Sequence, residues 1–212
     1  MTPDDTTAGV GPGSGDSLRG HLRTATMAAH DLLDHAMQAA SGWQTRGDYA
    51  RFLALQHAAR VPLEAWLAEH APADLVPPLQ TPLLEADLAA LGTALPPSSP
   101  PFAPPHTPST PPNFVESGAI LGAAWVLAGS ALGNRAIARQ VARIGGGQWP
   151  AAFLDDGAMM AFWQSLRTRI ERPADRAEAA GATCGAEAVF AHFLAVADNA
   201  QPVEHAVERA AP

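Results

Sequence analysis

Apolar residues along the 212-residue chain recur at steps of three and four, the spacing that places them on one face of an α-helix. The first such stripe consists of Leu18, Leu22, Ala25, Ala29, Leu33, Ala36 and Met37. The sequence contains no alternating β-branched runs, no Asn-Gly hairpin pairs and no internal repeat. The pattern predicts an all-α fold.

Local signals place the ends of the predicted helices. A second helix is expected to start near Gly47–Asp48, with Pro62 kinking or interrupting it. A third should follow Thr81 as N-cap and Pro82 as its first residue. Three more helices are predicted, one from Val115 to about Ile144 before Gly145-Gly146-Gly147, one after Asp156 up to Arg172, and one over Ala174–Asn199.

A proline-rich segment, residues 95–113, separates the third and fourth helices. Its nine prolines exclude helix and sheet and predict an extended loop. Neither half of the chain carries enough apolar surface to form its own core, so we expect one helical domain over residues 17–200. Residues 1–16, rich in Gly, Thr, Asp, Pro and Ser, are predicted to form a disordered tail, and residues 201–212 a C-terminal tail.

Composition narrows the classes of function. Hydrophobic residues make up 47% of the chain, enough for one sizeable core, and a net charge of −8 argues against binding of nucleic acid. The single cysteine, Cys184, excludes an intramolecular disulfide and a cysteine-based metal centre. No secretory signal is visible, and we expect a cytoplasmic protein. The uncharged stretch Ser117–Asn134 is rich in Gly and Ala, which favours a buried helix over a membrane span.

Four glycines of the predicted fourth helix, Gly118, Gly122, Gly129 and Gly133, fall within about 60° of one another on the helix surface. Each glycine inside a helix costs about 1 kcal/mol relative to alanine. Either another helix packs tightly against this stripe, or a flat ligand lies on it. The spacing leaves both interpretations open.

His30 lies at the margin of the first apolar stripe, with Arg23 seven residues before it and Asp34 four residues after it. Its imidazole could ligate a metal, with the carboxylate fixing the tautomer and Arg23 meeting an anionic group. A half-buried, hydrogen-bonded histidine is the alternative, because His35, His57 and His192 also fall on predicted helices. Arg167 and Arg169, with Arg172 close by, indicate either an anion site or a charge effect at the end of a helix.

Three segments together resemble the haem oxygenases, particularly the soluble bacterial enzymes found alongside bacterial phytochromes. These segments are LRTATMAAHDLLD (Leu22–Asp34), GAAWVLAGSALGNRAI (Gly122–Ile137), and SLRTRI followed by AEAVFAHF. The resemblance implies a single helical domain of that fold. It assigns His30 as the proximal ligand of haem iron, Asp34 as its orienting carboxylate, Gly129 and Gly133 as the distal platform, Ser130 and Asn134 as contacts of the distal water network, and Arg23 and Arg167 as partners of the haem propionates.

The resemblance also implies an activity. Haem oxygenases take haem as both cofactor and substrate and use O₂ and electrons from a reductase or ferredoxin to form biliverdin, CO and ferrous iron. A bacterial phytochrome is then the expected acceptor of the biliverdin.

The distal segment departs from the family pattern. Ser130 stands where animal enzymes have Asp, and Trp125 and Ala128 stand where bacterial relatives often have Tyr and Glu. A haem carrier or sensor without turnover therefore remains an alternative. A thiaminase-like hydrolase using Cys184 is a second alternative.

Overall fold

The fold is built from six α-helices, and the part of the chain described here contains no strand. The structure, a computed structural model, describes residues 17–105 and 112–200, with the backbone alone for residues 112–116. The helices are α1 (Leu18–Ala40), α2 (Arg46–His70), α3 (Thr81–Ala90), α4 (Pro112–Ile144), α5 (Gly157–Ile170) and α6 (Arg176–Ala200), with a short 3₁₀ turn at Ala73–Leu75. The predicted all-α class is confirmed.

Side-chain caps explain where several helices start. The hydroxyl of Ser17 accepts a hydrogen bond from the backbone N–H of Gly20 at the start of α1. Thr45 and Asp48 form a capping box at the start of α2. Asp156 accepts from two backbone N–H groups of α5, which therefore begins directly after the aspartate pair, as predicted.

Helix α2 continues through Pro62 without interruption, because the residues around this proline are buried in the core and hold both halves in place. The prediction for the start of α3 is wrong. Thr81 is the first residue of α3 and not its N-cap. Its hydroxyl donates to the buried carboxylate of Glu64 in α2 at 2.7 Å, and the same carboxylate accepts the backbone N–H of Gln80 at 2.8 Å.

The proline-rich segment is shorter than predicted. Residues 95–105 have no regular structure, and Phe102 anchors them by packing into the core. Helix α4 starts at Pro112, so the last two residues of the predicted loop, Pro112 and Asn113, are helical. Proline is tolerated in the first turn because its missing N–H would have no partner there. The predicted tails, residues 1–16 and 201–212, lie outside the described residues.

Two hydrophobic clusters make up the core. The first joins α1, α2, α4, α5 and α6 through residues such as Leu22, Leu63, Leu127, Leu166 and Val189. The second joins the start of α2, α3 and the end of α4 through Tyr49, Leu53, Leu84, Leu88 and Val141, with Phe153 from the loop before α5. Leu33 and Val196 pack against both clusters and connect them.

Helices α4 and α6 pack at backbone distance. A methyl group on Gly122 would overlap with the carbonyl oxygen of Ala182, and one on Gly185 would overlap with that of Ala119. Residues Ser117–Ile144 and α6 are each long and apolar enough, by length and composition, to cross a membrane, yet both pack into the core as the central helix pair of the bundle.

Candidate functional site

His30 projects from α1 with a side chain that is 59% exposed. Its Nδ1 lies 3.4 Å from the Asp34 Oδ2 and 3.9 Å from the Asp31 Oδ1, and its ring meets the edge of Phe190 in α6. A carboxylate beside Nδ1 favours the tautomer with the proton on that nitrogen, which leaves a lone pair on Nε2. No described residue hydrogen-bonds to Nε2. The structure thus brings His30 and Asp34 together and leaves one ring nitrogen accessible.

Among the described residues, no group of three or more His, Cys, Asp or Glu side chains could hold a bare metal ion. A single accessible imidazole suits an iron whose other ligands come from a prosthetic group.

The arginines near the start of α1 form an ion-pair cluster. Arg167 of α5 donates to the Glu171 Oε1 through Nε and Nη2, at 3.1 and 2.8 Å, and Arg19 donates to the same oxygen at 3.1 Å. The hydrogen bond from Arg167 is the main cause of the lowered pKa of Glu171. Arg23 lies one turn after Arg19, is exposed and has no ion-pair partner in the described part of the chain. Arg19 was not among the residues predicted from the sequence, and its spacing of four from Arg23 was the available signal.

Arg169 and Arg172 do not join Arg167 in an anion site. Arg169 pairs with Asp74, and Arg172 pairs with Glu178. Both arginines therefore tie α5 and the following turn to neighbouring segments.

The glycine stripe of α4 divides into two halves. Gly118 and Gly122 are buried against α6, as expected for helix packing. Gly133 has no atom within 4 Å of the place where a Cβ would stand, and at Gly129 the nearest contact is the Trp163 ring at 3.7 Å. Only the second half of the stripe leaves bare backbone for a ligand.

Ser130 and Asn134 are half-buried and buried, respectively, and lie one turn apart on α4. The Ser130 hydroxyl donates to the carbonyl of Leu127 at 2.7 Å and accepts from the Arg60 Nη2 at 2.9 Å. Arg60 is 1% exposed, and burial lowers its pKa to about 10. Arg60 was not among the residues predicted from the sequence. The spacing of seven positions between Arg60 and both Leu53 and Leu67 nevertheless indicates that Arg60 is buried.

Trp125 and Ala128, which stand where the resemblance led us to expect Tyr and Glu, lie in apolar surroundings. Trp125 packs on the first core cluster, and its buried indole N–H has no partner in the described residues. Ala128 is fully buried. Neither contributes a hydrogen bond to the surface at Gly129.

Two clefts, of about 430 and 420 Å³, lie elsewhere on the described surface, and neither includes His30, Gly129 or Gly133. The second contains Cys184, Glu187 and His192. The thiol contacts the carbonyl of Pro105, while the His192 Nε2 hydrogen-bonds to the carbonyl of Ala59. The Cys184 sulfur and the His192 imidazole are not hydrogen-bonded to each other, so they do not form the nucleophile–base pair that a cysteine hydrolase needs.

Comparison with known proteins finds similarity among solved structures. No family model and no curated protein matches the sequence. Among solved structures, the chain is similar to the NO- and CO-bound heme oxygenase from Neisseria meningitidis, with a TM-score of 0.61 and 18% sequence identity, over 92% of this chain and 99% of that one. This similarity shows that the chain has the haem oxygenase fold.

Proposed function

We propose that this protein is a haem oxygenase, which cleaves haem to biliverdin, CO and ferrous iron with O₂ and electrons from an external donor. The supporting observation is the pairing of the His30 Nδ1 with Asp34, which leaves Nε2 accessible on the first helix of a haem oxygenase fold. This donor set fits a haem iron.

The remaining proposed contacts fit the rest of the haem. The guanidinium of Arg23 can donate hydrogen bonds to one propionate. The guanidinium of Arg167 can donate to the other propionate while it keeps its hydrogen bond to Glu171. Gly129 and Gly133 expose backbone against which a flat macrocycle can lie. Bound haem supplies the redox and O₂ chemistry, while the chain supplies ligation, orientation and a shaped distal surface.

Two polar residues of α4, Ser130 and Asn134, order water beside the haem. Ser130 is held by Arg60 and Leu127, and Asn134 follows one turn later on the same side of α4. We assign both to the distal hydrogen-bond network. The apolar surroundings of Trp125 and Ala128 restrict that network to the Ser130 side.

The proposal includes partners and a compartment. A reductase or a ferredoxin delivers the electrons, a bacterial phytochrome takes the biliverdin, and the protein acts in the cytoplasm. Titration of the phytochrome apoprotein into a completed reaction tests the phytochrome as a partner, because covalent or tight capture changes the absorption of biliverdin.

The first experiment is an absorption titration with haemin, followed by ascorbate or a ferredoxin system in air. We expect a Soret band that saturates near one haem per chain and then decays into biliverdin absorption. His30→Ala should lose the ligand-dependent Soret position, while His35→Ala, on the exposed side of the same helix, should keep it. An unchanged spectrum in H30A would contradict the ligand assignment.

A haem carrier or sensor is the second candidate, and the apolar environment of Trp125 and Ala128 favours it. A carrier would bind haem through His30 but leave the Soret band standing after reductant and O₂ are added. The same titration therefore separates the two candidates.

A further inference from the structure

Arg60 is a buried cation, and no carboxylate of the described residues lies at ion-pair distance from it. Its Nε donates to the Gln56 Oε1 at 3.3 Å, its Nη2 donates to Ser130, and its Nη1 is buried with no hydrogen bond in the described residues. The rings of Phe153 and Phe193 lie 5.1 and 5.9 Å from the guanidinium carbon. Burying a cation in this way is energetically unfavourable, which points to a role beyond packing.

Burial lowers the pKa of Arg60, and the negative charge of Glu64, one turn later on α2, offsets part of this lowering. The Glu64 oxygens nevertheless accept hydrogen bonds from the backbone of Gln80 and from Thr81, and none from Arg60. The groups that face the guanidinium from α4, α6 and the loop before α5 are a hydroxyl and two aromatic rings. The positive charge therefore persists beside α4.

Arg60 also determines what Ser130 can do. The hydroxyl proton of Ser130 is directed to the carbonyl of Leu127, and one of its lone pairs is taken by Arg60. One lone pair remains. Ser130 can therefore accept a hydrogen bond at the α4 surface but has no proton left to donate.

We propose that Arg60 is a positioning residue of the ligand site: it fixes Ser130 as a hydrogen-bond acceptor and provides positive potential at the α4 surface beside Gly129. This inference rests on the proposed haem site. A preorganised positive potential stabilises negative charge that develops on a diatomic ligand bound on that side.

The test uses carbon monoxide as a probe of the ferrous haem complex, read by infrared spectroscopy. A positive potential near CO increases electron donation into its antibonding orbital and lowers the C–O stretching frequency. Arg60→Gln should shift this frequency upward because the positive charge is lost. Ser130→Ala should shift it downward, because the lone pair that Ser130 turns to the surface is lost while the charge of Arg60 stays. Ser130→Thr should leave the frequency near the wild-type value because the hydroxyl is kept.

Arg51→Gln is the matched control, since Arg51 is an exposed arginine on the same helix that pairs with Asp48. We expect it to leave the frequency unchanged. Saturable haem binding together with identical C–O frequencies in wild type, R60Q and S130A would overturn the inference and leave the proposed function standing. Absence of haem binding by the wild type would overturn both.

A second measurement needs no haem. Urea unfolding of R60Q, S130A and the double variant should show non-additive losses, because each single change removes the same Arg60–Ser130 hydrogen bond. Additive losses would show that the two residues are not coupled and would overturn the positioning role. If R60Q does not fold, Arg60→Met, which is neutral and of similar length, takes its place in the cycle and in the infrared test.

Discussion

At the residue scale, two buried carboxylates, Glu64 and Asp87, cap backbone segments that belong to other parts of the fold. Glu64 receives the N–H groups at the start of α3, and Asp87 receives those of Ala152 and Phe153 in the loop before α5. Burial raises the pKa of Asp87, while these two hydrogen bonds oppose the rise. Carboxylates from one helix thus replace local caps on another segment, which no local sequence rule anticipates.

Glu64→Gln should destabilise the fold by about 1–3 kcal/mol, because the amide nitrogen that replaces one oxygen cannot accept from the backbone of Thr81 or Gln80. Glu69→Gln, an exposed change on the same helix, is the control and should stay within about 0.5 kcal/mol of the wild type. Urea unfolding measures both, and equal stabilities for the two variants would refute the capping role of Glu64.

His192 should make stability depend on pH. Burial lowers its pKa from the ordinary 6.5, so below that pH the unfolded chain binds a proton that the folded chain does not. Its contribution to the free energy of unfolding is therefore lost as the pH falls from 6.5 toward the lowered pKa, by at most about 1.4 kcal/mol per pH unit.

His192→Gln keeps a donor for the carbonyl of Ala59 but cannot take up this proton. Thermal unfolding of both proteins between about pH 5 and pH 7.5 should show a shallower acid loss in H192Q. Parallel curves would mean that His192 titrates alike in the folded and unfolded chain.

At the scale of elements, the sequence was sufficient to predict features with a local signal. It was insufficient to predict features that depend on a partner helix. The apolar period located the helices, and the start of α5 directly after Asp156 was predicted as well. The glycine stripe was visible too, but its division between packing and open backbone follows from where α6 crosses α4. The hydrogen bond of Arg60 likewise depends on Ser130, seventy positions away.

The two halves of the glycine stripe should respond oppositely to alanine. Gly122→Ala should destabilise the protein by about 2 kcal/mol or more, because the methyl group would push α6 off α4. Gly133→Ala should stabilise the haem-free protein by up to about 1 kcal/mol, since alanine favours the helix and nothing stands within 4 Å.

Haem titration completes this comparison. The added methyl group of G133A should weaken haem binding while the haem-free protein is more stable. Undiminished haem affinity in G133A would place the macrocycle away from this glycine.

At the scale of the whole molecule, the two core clusters should unfold as one unit. Leu33 and Val196 pack against both, and α2 contributes residues to each. Clusters that share packing residues and a helix should lose their structure in a single cooperative transition. The tryptophans report on the clusters separately, because Trp43 and Trp149 pack on the second and the other three belong to or pack on the first.

In a variant carrying Trp43→Phe and Trp149→Phe, emission comes only from the first cluster. Its urea midpoint by fluorescence should coincide with that of total helicity by circular dichroism. Two separated midpoints would show that the clusters are independent folding units.

The interlocked glycines of α4 and α6 have a consequence for how a large planar molecule can enter. Two backbones in contact have no side chains whose rearrangement would let them slide, so this pair behaves as a fixed wall. Helix α1 is tied at its beginning, where the N–H of Leu18 donates to the carbonyl of Arg172 and Arg19 reaches Glu171. Opening of the bundle should therefore be a movement of the C-terminal part of α1. Amide hydrogens of that part should exchange faster than those where α4 and α6 pack against each other.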